Sequence, residues 1–123
     1  LEDNVIITGY VPDGMMVDLY NNACMFLFPS LWEGFGLQIL EAFSCGTPVV
    51  CSAIPALKEV AGYAALFVDP FSVEEMANTM VKLVKNKNLK ETLIRKGLKR
   101  VKKFSWKKTA RFTLGVYKKF YRV

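Results

Sequence analysis

Pro29-Ser30-Leu31-Trp32-Glu33-Gly34-Phe35-Gly36-Leu37-Gln38-Ile39-Leu40-Glu41-Ala42-Phe43 is the stretch that decides the fold, because it joins a strand to a helix through a turn with two glycines. Just before it, Cys24-Met25-Phe26-Leu27-Phe28 is an unbroken apolar run of strand length closed by Pro-Ser. That is the profile of a parallel strand covered on both faces. After the turn, Leu37 to Cys45 predicts a short helix stopped by Gly46 at C′ and by Pro48 two residues on. Gly34 and Gly36 carry no side chain, so a ligand can approach the backbone closely there. The first free N–H groups of the helix open onto the same space, and the helix dipole makes an anion the natural guest.

Two carboxylates flank that space. The helix carrying Glu41 is apolar nearly all round, with Leu37, Ile39, Leu40, Ala42 and Phe43. The pattern predicts a buried helix, in which a carboxylate is costly unless it is hydrogen-bonded, so Glu41 needs donors such as ligand hydroxyls. Glu33 stands before the first turn, at the mouth, where it suits hydroxyls better than phosphate. Plainer readings stand beside these: a turn glycine, a solvated Glu33, and a Glu41 satisfied by its neighbours. The run is neither a dinucleotide fingerprint, which needs a third glycine, nor a Walker loop, which needs Gly-Lys-Ser/Thr.

Outward from this stretch, Asn4 to Val11 reads as a first buried strand, ended by glycine. Pro12-Asp13-Gly14 is a turn with Asp13 as N-cap, and Met16, Leu19, Tyr20 and Ala23 form one face of a short helix. Pro48 to Ser52 and Ala64 to Val68 are further strands, separated by a loop or short helix over Ile54 to Gly62. Ser72-Val73-Glu74-Glu75 is a capping box that starts a helix with Met76, Ala77, Met80, Val81 and Val84 inward. Asn88 and Glu91 repeat the signal for a helix with Leu93, Gly97, Val101 and Phe104 on one side. Ser105 caps a last helix in which Trp106, Ala110, Thr113, Tyr117 and Phe120 share a face that wants a partner. The sum is an α/β domain: a parallel sheet of about four strands, flanking helices and a helical C-terminal extension. Its ligand site belongs at the carboxyl ends of the strands.

The 123 residues fit one domain with a real core, and no apolar run reaches bilayer-spanning length. Leu1-Glu2-Asp3-Asn4 has no targeting character. Cys24, Cys45 and Cys51 lie in apolar segments without CxxC spacing, which fits reduced thiols in a cytoplasmic protein and argues against zinc. With no histidine, His-based triads are excluded within this chain. Charge is divided: residues 1–81 hold one basic and ten acidic residues, net −9, while residues 82–123 hold sixteen basic and one acidic, net +15. A single-sign field of that size points to a polyanionic partner or surface.

Pro29-Ser30, Glu33-Gly34-Phe35-Gly36-Leu37, Leu40-Glu41-Ala42 and Cys45-Gly46-Thr47-Pro48-Val49-Val50 together resemble the E-x7-E signature of retaining glycosyltransferases of the family 4 type, two-domain enzymes of the GT-B fold. The similarity continues through Pro55 to Val60, Val68-Asp69-Pro70 and Phe104-Ser105-Trp106. The resemblance implies the C-terminal part of a Rossmann-like, nucleotide-sugar-binding domain over 1–123, with the acceptor domain and the first two strands absent. It implies that Glu33, the catalytic residue, orients and stabilises the transferred sugar without bonding to it. It assigns donor binding to Ser30, to the backbone of Gly34, Phe35, Gly36 and Leu37, and to Glu41, which holds the ribose hydroxyls. Tyr10, Val11 and Asp13 fall beside the nucleotide base, where an ordinary turn reads equally well. Glu59 is structural by the same comparison. No Asp-x-Asp motif is present, and the family generally dispenses with a catalytic metal, so no cofactor is expected beyond the nucleotide-sugar substrate.

The resemblance also implies an Arg and a Lys on a loop upstream that bind the donor diphosphate. Without them this chain alone should bind donor poorly and transfer nothing. With strands one and two removed, either residues 1–8 pack directly on the central strand, or a second chain, by strand exchange or as a homodimer, fills the gap. Partners expected of the whole enzyme are the donor, a saccharide or lipid acceptor and the N-terminal domain. An alternative is a non-catalytic module acting through residues 82–123 on an anionic membrane, at the cytoplasmic face; the same residues read equally as a solvated basic face. Nucleic acid is a weaker choice, because the aromatics sit at core spacing and are not interleaved for stacking.

Overall fold

The computed structural model describes residues 2–121; Leu1, in the 1–8 segment of the sequence reading, and Arg122 and Val123, in its basic 82–123 region, lie outside the described residues. A 3-10 turn at Glu2–Asn4 precedes α1 (Asp13–Asn22), β1 (Phe26–Phe28), α2 (Leu37–Ser44), β2 (Val49–Ser52), α3 (Pro55–Ala61), β3 (Ala65–Val68), α4 (Val73–Lys85), α5 (Lys87–Val101) and α6 (Trp106–Phe120). The described strands form a parallel sheet in the order β1-β2-β3. Phe26 pairs with Val49 and Phe28 with Cys51, and β2 continues the register from Val49 opposite Ala65 to Ser52 opposite Val68. Each connection is a strand-helix-strand unit, which delivers the N-terminus of each helix to the carboxyl edge of the sheet.

β2 is fully buried, and its alternation divides the core. Val49 and Cys51 face a cluster with Ile39, Phe43, Leu57 and Val60, under α1, α2 and α3. Val50 faces the opposite side, with Val68, Leu83, Leu93 and the partly buried Met76 and Leu89 of α4 and α5. Each fully buried aliphatic or aromatic side chain of this kind contributes about 1.5–3 kcal/mol. α5 serves both sides: Leu89 and Leu93 belong to the second cluster, whereas Val101, and Phe104 beyond the helix end, pack on the first.

The first expected strand does not form. Val5, Ile6 and Ile7 are 62, 88 and 91% exposed, and no residue of the run belongs to the sheet, which holds three strands and not four among the described residues. The run has the composition of a strand, but a strand is stable only against a neighbouring ladder, and none is offered here. Nor do the described residues of the 1–8 segment pack on the central strand.

Several helix details also differ from the sequence reading. α1 is preceded by Pro12, and Asp13 makes no cap, lying instead in the first turn, where its charge suits the dipole. α4 turns Met76, Met80 and the fully buried Leu83 inward and leaves Ala77, Val81 and Val84 exposed. The N-cap of α5 is Asn86, two residues before Asn88; its Oδ1 accepts from the Leu89 N–H at 2.9 Å. Ser72 and Ser105 cap as expected, accepting from the Glu75 and Lys108 N–H groups. Glu75 does not complete the box; its carboxylate accepts from the Asp69 N–H instead.

Candidate functional site

The turn from β1 to α2 is built around Gly36. It is the N-cap of α2 at φ +90°, and a Cβ there would lie 2.6 Å from Leu57 Cδ2. Both facts demand glycine, and both concern the buried side of the turn, so backbone geometry and packing, not ligand access, explain this residue. Gly34 differs: a Cβ there would meet nothing within 4 Å, so its backbone is open. Ser30 shapes the approach, its hydroxyl donating to the Trp32 carbonyl at 3.0 Å. No side chain caps the N-terminus of α2, so its first N–H groups donate to no side-chain cap and the dipole there favours an anion.

α2 is not apolar all round. Ile39, Leu40, Ala42 and Phe43 are buried, while Leu37, Glu41 and Ser44 form an exposed stripe at i, i+4 and i+7. Glu41 is therefore an exposed carboxylate on a half-buried helix, which corrects the expectation of a buried one. Its donor is nevertheless a protein group: the Tyr20 hydroxyl donates to Glu41 Oε2 at 3.2 Å. Tyr20 is buried at the end of α1, edge-on to Phe26 at 5.4 Å, and its carbonyl accepts from the Thr47 hydroxyl at 2.6 Å. Burial, followed by the Glu41 charge, pushes the Tyr20 hydroxyl up to about 12, so it remains a donor throughout the neutral range.

Glu41 lines a cavity of about 570 Å³ together with Phe35, Leu37, Leu40 and Ser44 on one side and Val101, Phe104, Ser105, Trp106 and Thr109 on the other. The hollow thus lies between α2 and the bend joining α5 to α6, with hydroxyls and one carboxylate set into an apolar lining. Of the residues singled out in the sequence, Phe35, Leu37 and Glu41 meet here. Glu33, Gly34, Gly36, Ser30 and Val11 do not line it. Glu33 is half-buried in the loop and makes no hydrogen bond or ion pair among the described residues. Tyr10 is exposed and Val11 partly buried, both ahead of α1. A second hollow of about 460 Å³ along α1, lined by Met15, Asp18, Leu19, Asn22 and Ala23, shares no residue with the loop or with α2.

Sequence reasoning missed Tyr20, Phe104, Trp106 and Thr109. Tyr20 was placed on an apolar helix face, yet a buried tyrosine needs a partner for its hydroxyl, and that signal was present. Phe104 and Trp106 belong to the Phe104-Ser105-Trp106 run that carries the resemblance, but nothing local in it shows that the bend after α5 turns them toward α2.

Residues 1–100 match the family described as Glycosyl transferases group 1. The O-antigen chain mannosyltransferase B of Escherichia coli is 43% identical over 110 residues, covering 89% of this chain and 29% of that protein. The mannosylfructose-phosphate synthase of Agrobacterium fabrum is 38% identical over 109 residues, covering 86% of this chain and 24% of that protein. Among solved structures, sucrose-phosphate synthase from Thermosynechococcus elongatus superposes with a TM-score of 0.87 at 29% identity, covering 96% of this chain and 30% of that one. The chain therefore spans less than a third of the length of these relatives. The family match over residues 1–100, with the superposition of a parallel α/β sheet flanked by helices, makes the chain a member of the group 1 glycosyl transferases, with the GT-B domain fold.

Proposed function

We propose that this domain binds the nucleotide-activated sugar donor of a retaining glycosyltransferase, which transfers a hexosyl group to a saccharide or lipid acceptor held by a second domain. The observation that carries the proposal is the Tyr20–Glu41 pair at the edge of the 570 Å³ cavity beside the uncapped start of α2. A carboxylate that already accepts one hydrogen bond has lone pairs left for two ribose hydroxyls. Main-chain amides at Gly34 to Leu37 meet the diphosphate, where the α2 dipole favours negative charge. Glu33, free of protein partners among the described residues, contacts the transferred sugar and stabilises positive charge developing on its ring.

The acidic balance of residues 1–81 makes these amides the main counter-charge that this chain supplies to a diphosphate, and basic side chains of the whole enzyme complete it. The chemistry calls for no catalytic metal, because leaving-group charge is met by N–H dipoles and cationic side chains. Relatives named for mannosyl transfer favour a hexose donor. No observation favours the non-catalytic alternative, and the charge of α5 and α6 serves a solvated face as well as an anionic membrane. Steady-state kinetics of the whole enzyme with Glu33→Gln and Glu41→Gln tests the proposal. Glu33→Gln should lower kcat and Glu41→Gln should chiefly raise the donor KM, each by roughly tenfold or more; wild-type turnover in both variants removes the proposal.

A further inference from the structure

Phe35 is the one side chain between two glycines in the loop of the proposed donor site. Gly34 has open space at its Cα and Gly36 holds a left-handed backbone, so the ring of Phe35 is the anchor available to this turn. That ring meets the Phe104 ring edge-on, with centroids 6.0 Å apart at 81°. Phe104, in the bend between α5 and α6, in turn carries the Arg100 guanidinium on its face, with Cζ 5.1 Å from the ring centroid.

Arg100 is itself fixed from a third element. Its Nε donates to the Val60 carbonyl at 2.9 Å and its Nη2 donates to the Glu59 carbonyl. These are carbonyls of the last turn of α3, where a cation also suits the helix dipole. Gly62, at φ +58°, lies against the guanidinium, and a Cβ there would stand 3.4 Å from Cζ. A planar fork suits this position, since one group satisfies two carbonyls while its Cζ lies over a ring.

We propose that Arg100 is a positioning residue for the donor loop, acting through Phe104 on Phe35 and so setting the Glu33 to Leu37 turn. The proposal rests on the donor-site reading above. It makes the end of α3, the end of α5 and the loop one mechanical unit, in which loss of the guanidinium frees Phe104 and loosens Phe35.

The test is a double-mutant cycle in the whole enzyme, reading kcat and donor KM separately. Arg100→Ala, Arg100→Lys and Phe104→Leu are each expected to cut kcat/KM roughly tenfold, because small misplacement of a binding loop is costly. Lys fails with Ala because it lacks the fork, and exposed Lys99→Ala, which removes an adjacent charge, leaves kcat/KM unchanged. The double variant Arg100→Ala/Phe35→Leu should lose no more than Phe35→Leu alone, since both act on one contact. A purely structural role would lower the melting temperature and leave the two losses multiplicative. Should Arg100→Ala not fold, Phe104→Leu takes its place in the cycle. Wild-type kinetics for Arg100→Lys, or multiplicative losses, overturns the proposal. If Glu33→Gln and Glu41→Gln impair the enzyme while the Arg100 variants do not, positioning fails and the donor site stands; unimpaired Glu variants remove both.

Discussion

Substituting Gly97 by alanine should destabilise the protein, although alanine is the better helix former. Gly97 is buried in α5 where that helix crosses α2, and a Cβ would lie 2.7 Å from Phe43 Cδ1, 3.1 Å from Cγ and 3.3 Å from Cε1. Phe43 is 1% exposed and belongs to the core cluster with Ile39 and Leu57, so its ring has no free volume to enter. Relieving the overlap means moving α5 outward or forcing the ring off its rotamer, at about 1–3 kcal/mol. The propensity gain of glycine to alanine in a helix offsets about 1 kcal/mol of that. A net loss of about 1 kcal/mol corresponds to roughly 4 °C in Tm for a domain of this size. Gly115, within α6 and with nothing within 4 Å of its Cβ position, supplies the opposite sign: Gly115→Ala should raise Tm by the propensity term alone. Thermal unfolding of both variants is the assay. A Gly97→Ala protein that melts at or above the wild-type temperature refutes the close-packed crossing of α2 and α5.

Three further outcomes follow from burial and capping. Native protein treated with iodoacetamide should be modified at Cys24, which is exposed, and spared at Cys51, which is fully buried and whose thiol burial pushes up to about 12; peptide mass spectrometry showing Cys51 modified before unfolding contradicts this. Tyr20 titrates at about 12 when folded and near 10 when unfolded, so the unfolded chain gives up its proton first. Its contribution to stability is therefore complete below pH 10 and is lost as pH rises from 10 to about 12. Tyr20→Phe should flatten the alkaline fall in stability, and an identical slope in the variant counts against the assigned environment. Ser105→Ala removes the cap of a helix with no buried residues and should cost about 1 kcal/mol of helix stability, seen as reduced far-UV helicity; unchanged helicity would mean that contacts beyond this cap hold α6.

The parts of the fold visible in the sequence were those governed by local chemistry. Phe26 to Phe28 and Val49 to Ser52 are apolar runs bounded by Pro or Gly, and both became strands. Gly46, at φ +71° just past α2, ended a helix because it lacks a Cβ, and Ser105 began α6 because its hydroxyl caps it. The N-terminal run Val5 to Ile7 has the same composition yet no partner to pair with, and composition cannot report the neighbour. In the site, the α2 stripe of Leu37, Glu41 and Ser44 was hidden because Leu37 counted as apolar and so as buried. The cavity wall from Phe104 to Thr109 depends on the bend after α5, a long-range feature that no local spacing encodes.

Glu33 and Glu41 are proposed to divide the donor between them, sugar and ribose respectively. Isothermal titration of the whole enzyme with the donor's nucleoside diphosphate, which lacks the sugar, tests it most directly. Glu41→Gln is expected to weaken this ligand roughly tenfold or more, as loss of a charge-assisted hydrogen bond does, while Glu33→Gln binds it as the wild type does. Equal affinity in wild type and Glu41→Gln, or weakening by Glu33→Gln alone, contradicts it.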